Sequence, residues 1–265
     1  MYYKLMKKKF PISSQTSAND KKIILGTIDL IKKNNIRKFN YLEIGSFLGG
    51  SLTACLLEDK CKFIASIDKR NQKQDDERSE EWSYENISEL DMLNKLKQCG
   101  LNINKLKTFN GDVGDFKTKV KFDLAFIDGI HTDINTFSDF LNTLKMINKN
   151  SIVLFHDSSI IFKSINMINL LLKNNNYKFK LIKFKGSEIT GIFFGIFSKL
   201  NLNKAIMPIE NFNAFCKISG EKLLLEQINN RVQINFKISR FLKKKYPYKL
   251  SLKKKEKKIS LDYHQ

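Results

Sequence analysis

Short apolar runs alternate with helical periodicity through the middle of this 265-residue chain. Five runs have the composition of buried strands, and they cover residues 39–45, 62–68, 106–110, 122–129 and 151–157. Between them, apolar residues recur every three or four positions, as on one face of a helix. Repeated strand-helix units of this kind predict a mostly parallel sheet with helices on both faces.

Two more strand signals, at 177–184 and 191–197, flank a loop with Gly186 and predict an antiparallel hairpin. The predicted fold class is therefore α/β, with a Rossmann-like sheet of seven mostly parallel strands and a C-terminal antiparallel hairpin. The polar stretch 69–82 is predicted to be a long exposed loop.

The same pattern divides the chain into three parts. We expect an N-terminal segment over 1–19, the α/β domain over 20–200 and a helical, lysine-rich extension over 201–265. We find no internal repeat.

The net charge is +20, from 47 basic and 27 acidic residues. Eleven basic residues and one acidic residue lie in 236–258, and four lysines lie in 1–10, so most of the excess is terminal. Only five basic residues are arginines, the side chain suited to contacts with phosphate and guanine. Nucleic acid is therefore not the favoured partner, whereas lysines mixed with apolar residues fit an anionic membrane or an acidic partner.

The four cysteines, at 55, 61, 99 and 216, lack C-x-x-C spacing, and we expect free thiols in a reduced setting. No apolar run reaches the roughly 18 residues of a membrane span. Polar residues follow Lys9, so no secretory signal is expected. The expected location is the cytoplasm, with the tail able to hold the protein at a membrane surface. Homo-oligomerisation stays open.

In open parallel sheets, ligands bind at the carboxyl ends of the strands. The first strand ends with Glu43, followed by Gly45, Gly49 and Gly50 before a helix predicted over 51–58. This G-x-x-x-G-G spacing differs from the G-x-G-x-x-G of dinucleotide sites, where a pyrophosphate lies at the helix start. A ligand with a carboxylate and no phosphate suits such a turn better.

Acidic residues follow the next two strands. Asp68 ends the second strand, where a carboxylate can accept hydrogen bonds from a ribose diol. Asp112 follows the third strand and could accept from an adenine amino group, although N-G-D is also an ordinary turn.

The strongest local signals are FDLAFIDGIH and IVLFHDSS, which end the fourth and fifth strands. They place Asp128, His131, His156 and Asp157 at one rim of the sheet. Ionisable groups at the end of an apolar strand favour proton transfer or metal binding. Two carboxylates suit a hard cation such as Mg²⁺.

Taken in order, EIGSFLGGS, Asp68, the G-D pair at 111–112, FIDGIH and LFHD resemble class I S-adenosylmethionine-dependent methyltransferases. Within that class the chain resembles the small-molecule and sugar O-methyltransferases, including macrolide-sugar and cephalosporin-biosynthesis enzymes. The resemblance covers about residues 20–198. It implies methylation of a hydroxyl on a saccharide or other small molecule.

The resemblance also implies roles for individual residues. The cofactor-binding set would be Glu43, Gly45, Ser46, Gly49, Gly50, Ser51, Asp68 and Asp112. Asp128 and Asp157 would bind Mg²⁺, with Asp128 also acting in catalysis and His131 serving as the base. Metal-dependent members usually have a third carboxylate or amide beside the Asp157 position, whereas this chain has His156 and Ser158.

Three alternatives remain at this point. A nicotinamide-dependent oxidoreductase would use the same fold and Asp68, but the glycine spacing and the lack of a Y-x-x-x-K pair in the sheet region disfavour it. An RNA ribose methyltransferase would use the basic tail. A non-catalytic module with the same fold could dock through its lysines on acidic lipid or polymer.

Overall fold

The computed structural model describes residues 2–34 and 38–245, with side chains over 6–34 and 38–232. Its strands are β1 (Phe39–Ile44), β2 (Cys61–Ile67), β3 (Lys73–Asp75), β4 (Glu81–Ser83), β5 (Leu106–Phe109), β6 (Phe122–Ile127), β7 (Ile147–Phe155), β8 (Phe179–Phe184), β9 (Thr190–Phe194) and β10 (Ile209–Glu210). Its helices are α1 (Tyr2–Lys9), α2 (Ala18–Asn34), α3 (Thr53–Leu56), α4 (Glu89–Gln98), α5 (Asp133–Met146), α6 (Phe162–Asn174), α7 (Leu202–Ala205) and α8 (Phe212–Lys245), with a 3₁₀ helix over Gly195–Lys199.

The main sheet of the described chain has the order β10-β8-β9-β7-β6-β1-β2-β5. Within this order, β7, β6, β1, β2 and β5 pair in parallel, whereas β9, β8 and β10 join the sheet antiparallel. This arrangement confirms the predicted Rossmann-like sheet and its C-terminal hairpin. The seven predicted strands are all present, and the two-residue β10 adds an eighth at the edge, too short to leave a period in the sequence.

Two local predictions need correction. The stretch 69–82, predicted as a loop, contributes β3 and β4 to an antiparallel ribbon. Asp76 accepts hydrogen bonds from Arg78 and Trp82, which closes the ribbon without an apolar alternation. The predicted helix over 51–58 is reduced to the single turn of α3.

Helices cover both faces of the sheet, as predicted. One core lies between the sheet and α2, α3 and α4, and it takes up alternate residues such as Tyr41 and Leu124. A second core lies between the other face and α5 and α6, and it takes up Leu42 and Ala125. Two apolar faces explain why the parallel strands are buried along nearly their whole length.

The parallel strands end level with one another. The amide of Gly45 donates to the carbonyl of Ile67, and the amide of Asp128 donates to the carbonyl of Ile44, at 2.9 and 2.8 Å. His156 continues the ladder by donating to Ile127 at 3.0 Å. The first residues after β1, β6 and β7 therefore form one row along the carboxyl edge of the sheet.

The predicted helical extension is present as α8, and Leu223 on its inner face is buried. Residues 246–265, which hold the second half of the lysine-rich stretch, lie outside the described residues. All four cysteines are unpaired, and two of them, Cys55 and Cys61, are buried. Across the described residues, no helix combines the length and apolar character needed to cross a bilayer.

Gly45 provides a test of this strand-end geometry. It has φ +82°, and a Cβ there would lie 1.9 Å from the carbonyl oxygen of Asp128. We expect Gly45→Ala to lower the free energy of unfolding by roughly 3 kcal/mol or more, because β1 and β6 must separate. Gly100→Ala is the matched control, since Gly100 has φ +71° and open space around it, and should cost about 1 kcal/mol. Equal losses in urea unfolding would contradict the steric argument.

Candidate functional site

A pocket opens at the carboxyl edge of the sheet, between the loops that follow β1, β2, β5 and β6. Five of the predicted site residues line it: Gly45, Asp68, Asp112, Asp128 and His131. They come from four different loops, and the level strand ends bring them together. The ribbon side of the pocket is lined by Gln72, Gln74 and Tyr84.

Asp68 is held in a fixed orientation at the end of β2. Its Oδ2 accepts a 2.7 Å hydrogen bond from the amide of Phe47, in the turn after β1. The Arg70 guanidinium, whose side chain is only 2% exposed, lies 3.7 Å from the same oxygen. Burial raises the pKa of Asp68 above its ordinary value, and the Arg70 charge works against this rise. The arrangement orients a carboxylate toward the pocket, as recognition of a ribose diol requires.

Asp112 and Asp139 also line the pocket. Asp112 is largely exposed and makes a 3.2 Å ion pair with Lys69. Asp139 projects from α5 into the same pocket, where burial, and then the charge of Asp112, raise its pKa to about 7. Asp139 is thus the carboxyl group that this part of the pocket shields from water.

The other predicted cofactor residues lie beneath or beside the pocket and do not line it. Glu43 is fully buried and accepts hydrogen bonds from Tyr41 and Ser51, and burial raises its pKa to about 8. The Ser46 hydroxyl is the hydrogen-bond partner of Ser66. Gly49 packs against α4, and Gly50 against the segment before α2. These residues shape the turn that Gly45 begins, and their role toward a ligand stays a prediction.

Asp128, His131 and Asp157 form a compact cluster at the edge of the pocket. Their potential ligand atoms all lie within 4.8 Å of one another. The Nε2 of His131 is 3.4 Å from Asp128 Oδ1 and 3.1 Å from Asp157 Oδ2. Burial alone would lower the pKa of His131, but the hydrogen bond to Asp128 and the charge of Asp157 raise it above its usual value. Two carboxylates therefore share one imidazole.

A second imidazole, that of His156, lies behind this cluster. Its Nδ1 is 3.0 Å from Asp128 Oδ1 and 3.2 Å from Asp157 Oδ2. Burial works against the charged ring, yet the Asp128 charge and contacts with Asp128 and Asp157 raise the pKa of His156 well above its ordinary value. Contact with His156 in turn outweighs burial and lowers the pKa of Asp157 to about 2. The imidazoles of His131 and His156 thus supply positive charge that balances the two carboxylates.

Asp20, at the start of α2, contacts His156 from the opposite side. Its Oδ2 lies 3.4 Å from His156 Nε2 and accepts the amide of Ser17, while its Oδ1 accepts from Ser187 and the amide of Glu188. Burial would raise the pKa of Asp20, but these contacts, His156 first, hold it well below its usual range. One buried carboxylate therefore joins the helix start, the hairpin turn and the site.

The ribbon of β3 and β4 is fastened beside this cluster. The amide of Glu77 donates to the carbonyl of His131 at 3.0 Å, and the Glu77 carboxylate accepts from the amide of Asp133 at 2.7 Å. From α8, Gln227 donates to the carbonyl of Glu77 and Asn230 to that of Arg78. A cleft between ribbon and cluster is lined by Gln74, Asp75, Asp76, Trp82, Tyr84, Gly129, Ile130 and His131.

Sequence reasoning missed several of these residues. Arg70 lies in the stretch 69–82 that was predicted as a loop, and Tyr84 lies just after it; only proximity to Asp68 could have indicated Arg70. Asp20 exchanges hydrogen bonds with Ser17 at the start of α2, but its contact with His156 spans 136 positions and leaves no local pattern. Nothing in the α5 sequence distinguishes Asp139 from a solvated acid.

Comparison with protein-family models finds one match. Residues 42–158 match the family model described as "Methyltransferase domain". The sequence has no match among curated proteins.

Solved structures resemble the chain at low identity. The O-methyltransferase NovP is 14% identical, covering 64% of this chain and 76% of its own, with a TM-score of 0.49. The Bacillus cereus O-methyltransferase, in complex with SAH, is 14% identical over 72% and 88%, with a TM-score of 0.48. TomG from Streptomyces achromogenes, in complex with SAM, is 13% identical over 73% and 89%, with a TM-score of 0.46. Identities this low carry no information about this chain's substrate.

The raised pKa of His156 predicts how stability depends on pH. A raised pKa contributes stability that is complete below the unfolded value of about 6.5 and is lost as pH rises through the folded value. In metal-free protein, the free energy of unfolding should therefore fall above about pH 6.5, with a slope of up to about 1.4 kcal/mol per pH unit for each proton released. His156→Gln should flatten this decline in urea titrations at several pH values. An unchanged slope in that variant would contradict the assignment.

Proposed function

Because residues 42–158 match the model of a methyltransferase domain, we propose that this chain transfers a methyl group from S-adenosylmethionine to a hydroxyl of a small-molecule or saccharide acceptor. The observation that carries the proposal is that two residues belong both to the pocket lining and to the ionisable cluster. Asp128 and His131 line the pocket that contains Asp68, and they also belong to the ionisable cluster. A cofactor in the pocket would thus have its reactive end beside groups able to handle a proton.

The proposed cofactor site rests on Gly45, Asp68 and Asp139. Gly45 leaves the strand end open for a ligand to approach the backbone, and Asp68 presents a fixed carboxylate for the ribose hydroxyls. Asp112 and Asp139 border the side where the adenine would lie. The family match gives no support to the nicotinamide alternative.

Methyl transfer to a hydroxyl is an in-line displacement. The acceptor oxygen forms a bond to the methyl carbon as the methyl–sulfur bond breaks, and the hydroxyl proton must leave. His131 Nε2 faces the space between Asp128 and Asp157 and is the nitrogen placed to accept that proton. Since the carboxylates raise the His131 pKa, the neutral ring needed for this step is favoured by higher pH or by a nearby cation.

The donor set fits a divalent cation. Asp128 and Asp157 supply two carboxylates, and the His131 nitrogen lies within the same 4.8 Å group. We propose these two carboxylates as the Mg²⁺ ligands; the ion would supply Lewis acidity that lowers the pKa of an acceptor hydroxyl. His156 offsets the same negative charge, so the carboxylates are already partly neutralised when no ion is bound.

The cleft beside the ribbon supports a polyhydroxylated acceptor. Trp82, which is 37% exposed, offers an aromatic face there, and the Arg78 guanidinium lies 5.7 Å from the centre of its ring. Gln74 and Tyr84 add amide and hydroxyl groups around the same cleft, and the Asp76 carboxylate holds Arg78 and Trp82 in place there. Flat apolar surface beside hydrogen-bonding groups matches the two kinds of surface that a sugar ring presents.

Cofactor binding tests the Asp68 assignment without an acceptor. Asp68→Ala should weaken binding of S-adenosylhomocysteine by roughly 10- to 100-fold in calorimetry, since hydrogen bonds to a charged group contribute about 1.5–3 kcal/mol. Asp112→Ala, at an exposed and ion-paired carboxylate, should weaken it much less. NADH should leave the melting temperature unchanged where S-adenosylhomocysteine raises it. A stabilising effect of NADH alone would reject the proposed function.

Turnover tests the role of His131. With labelled S-adenosylmethionine and a panel of hydroxylated acceptors, His131→Gln should lower the rate by about 10²- to 10⁴-fold, the usual contribution of a general base. Binding of S-adenosylhomocysteine should persist, because His131 is assigned to the acceptor side. Wild-type rates in His131→Gln would remove His131 from the mechanism.

The metal site has its own test. Asp157→Asn should abolish Mn²⁺ binding measured by electron paramagnetic resonance, because it removes one of the two proposed ligands. Undiminished Mn²⁺ binding in this variant would remove the metal site.

A further inference from the structure

The outer face of α8 carries an apolar stripe. Its members are five large apolar side chains, each 48–66% exposed: Ile218, Leu224, Leu225, Ile228 and Val232. At 100° per residue they fall within an arc of about 120° around the helix. Isolated exposed apolar residues are normal. Exposed Glu221 lies between Ile218 and the other four, so the stripe is continuous from Leu224 to Val232, over about two and a half turns.

The opposite face of α8 is already in use. Leu223 and Ser219 are buried against the domain, and Gln227 and Asn230 hydrogen-bond to the β3–β4 ribbon. Its contacts fix the rotation of the helix about its axis, so the stripe is held outward. An outward apolar face on a fixed helix indicates contact with another surface.

Charge distinguishes between the surfaces that could cover the stripe. Residues 212–265 contain 14 basic and four acidic residues. Lys222, which pairs with Glu226 at 3.8 Å, and Arg231 flank the stripe, and the long side chain of Arg231 can extend along it toward polar headgroups. A second copy would bring together two chains that each carry a formal charge of +20. Charge complementarity therefore favours an anionic surface over self-association.

We propose that α8 docks this protein on an anionic lipid surface, with the stripe of Ile218, Leu224, Leu225, Ile228 and Val232 inserted at the level of the headgroups. The helix lies parallel to the membrane, since its inner face remains bound to the domain. Apolar insertion and attraction of the basic residues to anionic lipid act together, as in interfacial amphipathic helices. This inference concerns where the enzyme is located and does not depend on the proposed methyl transfer.

Vesicle flotation of the full chain tests the proposal. Vesicles of phosphatidylcholine with about 30 mol % phosphatidylserine should bind the protein at least about tenfold more strongly than phosphatidylcholine alone at about 0.1 M salt. The double variant Leu225→Gln/Val232→Gln should lower the partition coefficient by at least about tenfold, because two inserted side chains are lost.

A matched control replaces two exposed large apolar residues by Gln on other helices. Leu90 on α4 and Leu170 on α6 are exposed to a similar degree, at 62% and 51%, and Leu90→Gln/Leu170→Gln should bind vesicles as wild type does. Melting curves with S-adenosylhomocysteine show whether each variant is folded. Undiminished binding by the α8 variant would overturn the proposal, as would a dimer in analytical ultracentrifugation that this variant dissociates while wild type ignores vesicles.

Discussion

The close approach of Gly45 to the carbonyl of Asp128 is the constraint on which the site depends. No side chain fits between the ends of β1 and β6, since a Cβ on Gly45 would lie 1.9 Å from that oxygen. The ends of these strands are therefore level, and Asp128 lies directly beside the floor of the pocket. The Phe47 amide, two residues further on, then orients Asp68. A single glycine thus sets the separation between the proposed cofactor and acceptor sides.

Electrostatic balance is the second requirement at this edge. Asp128 and Asp157 lie within 3.0–3.4 Å of two imidazoles, and Asp20 contacts one of these from behind. Carboxylates this close would repel one another if all were charged without counter-charges. The imidazoles therefore stabilise the charged carboxylates, and a cation entering the cluster would compete with the His131 proton. Proton release and cation binding are linked by this geometry.

The sequence reveals those parts of the site that follow directly from strand ends. Gly45, Asp68, Asp128, His131 and Asp157 were all predicted, because the carboxyl ends of parallel strands meet at one edge. Asp20 and Asp139 were not, because each reaches the site from a helix whose own sequence needs only a cap or a polar face. The ribbon of β3 and β4 was missed because polar contacts around Asp76 hold it together. Periodicity detects apolar burial and does not detect such contacts.

Helix α8 connects the surface of the molecule to the proposed acceptor cleft. Gln227 and Asn230 hold the backbone of Glu77 and Arg78, and Glu77 contacts the loop of His131 and Asp133. Any surface that binds the outer face of α8 therefore acts on a helix that is bonded to one wall of the cleft. The basic C-terminal helix is thus bonded to one wall of the proposed acceptor cleft, without contributing a group to the proposed chemistry.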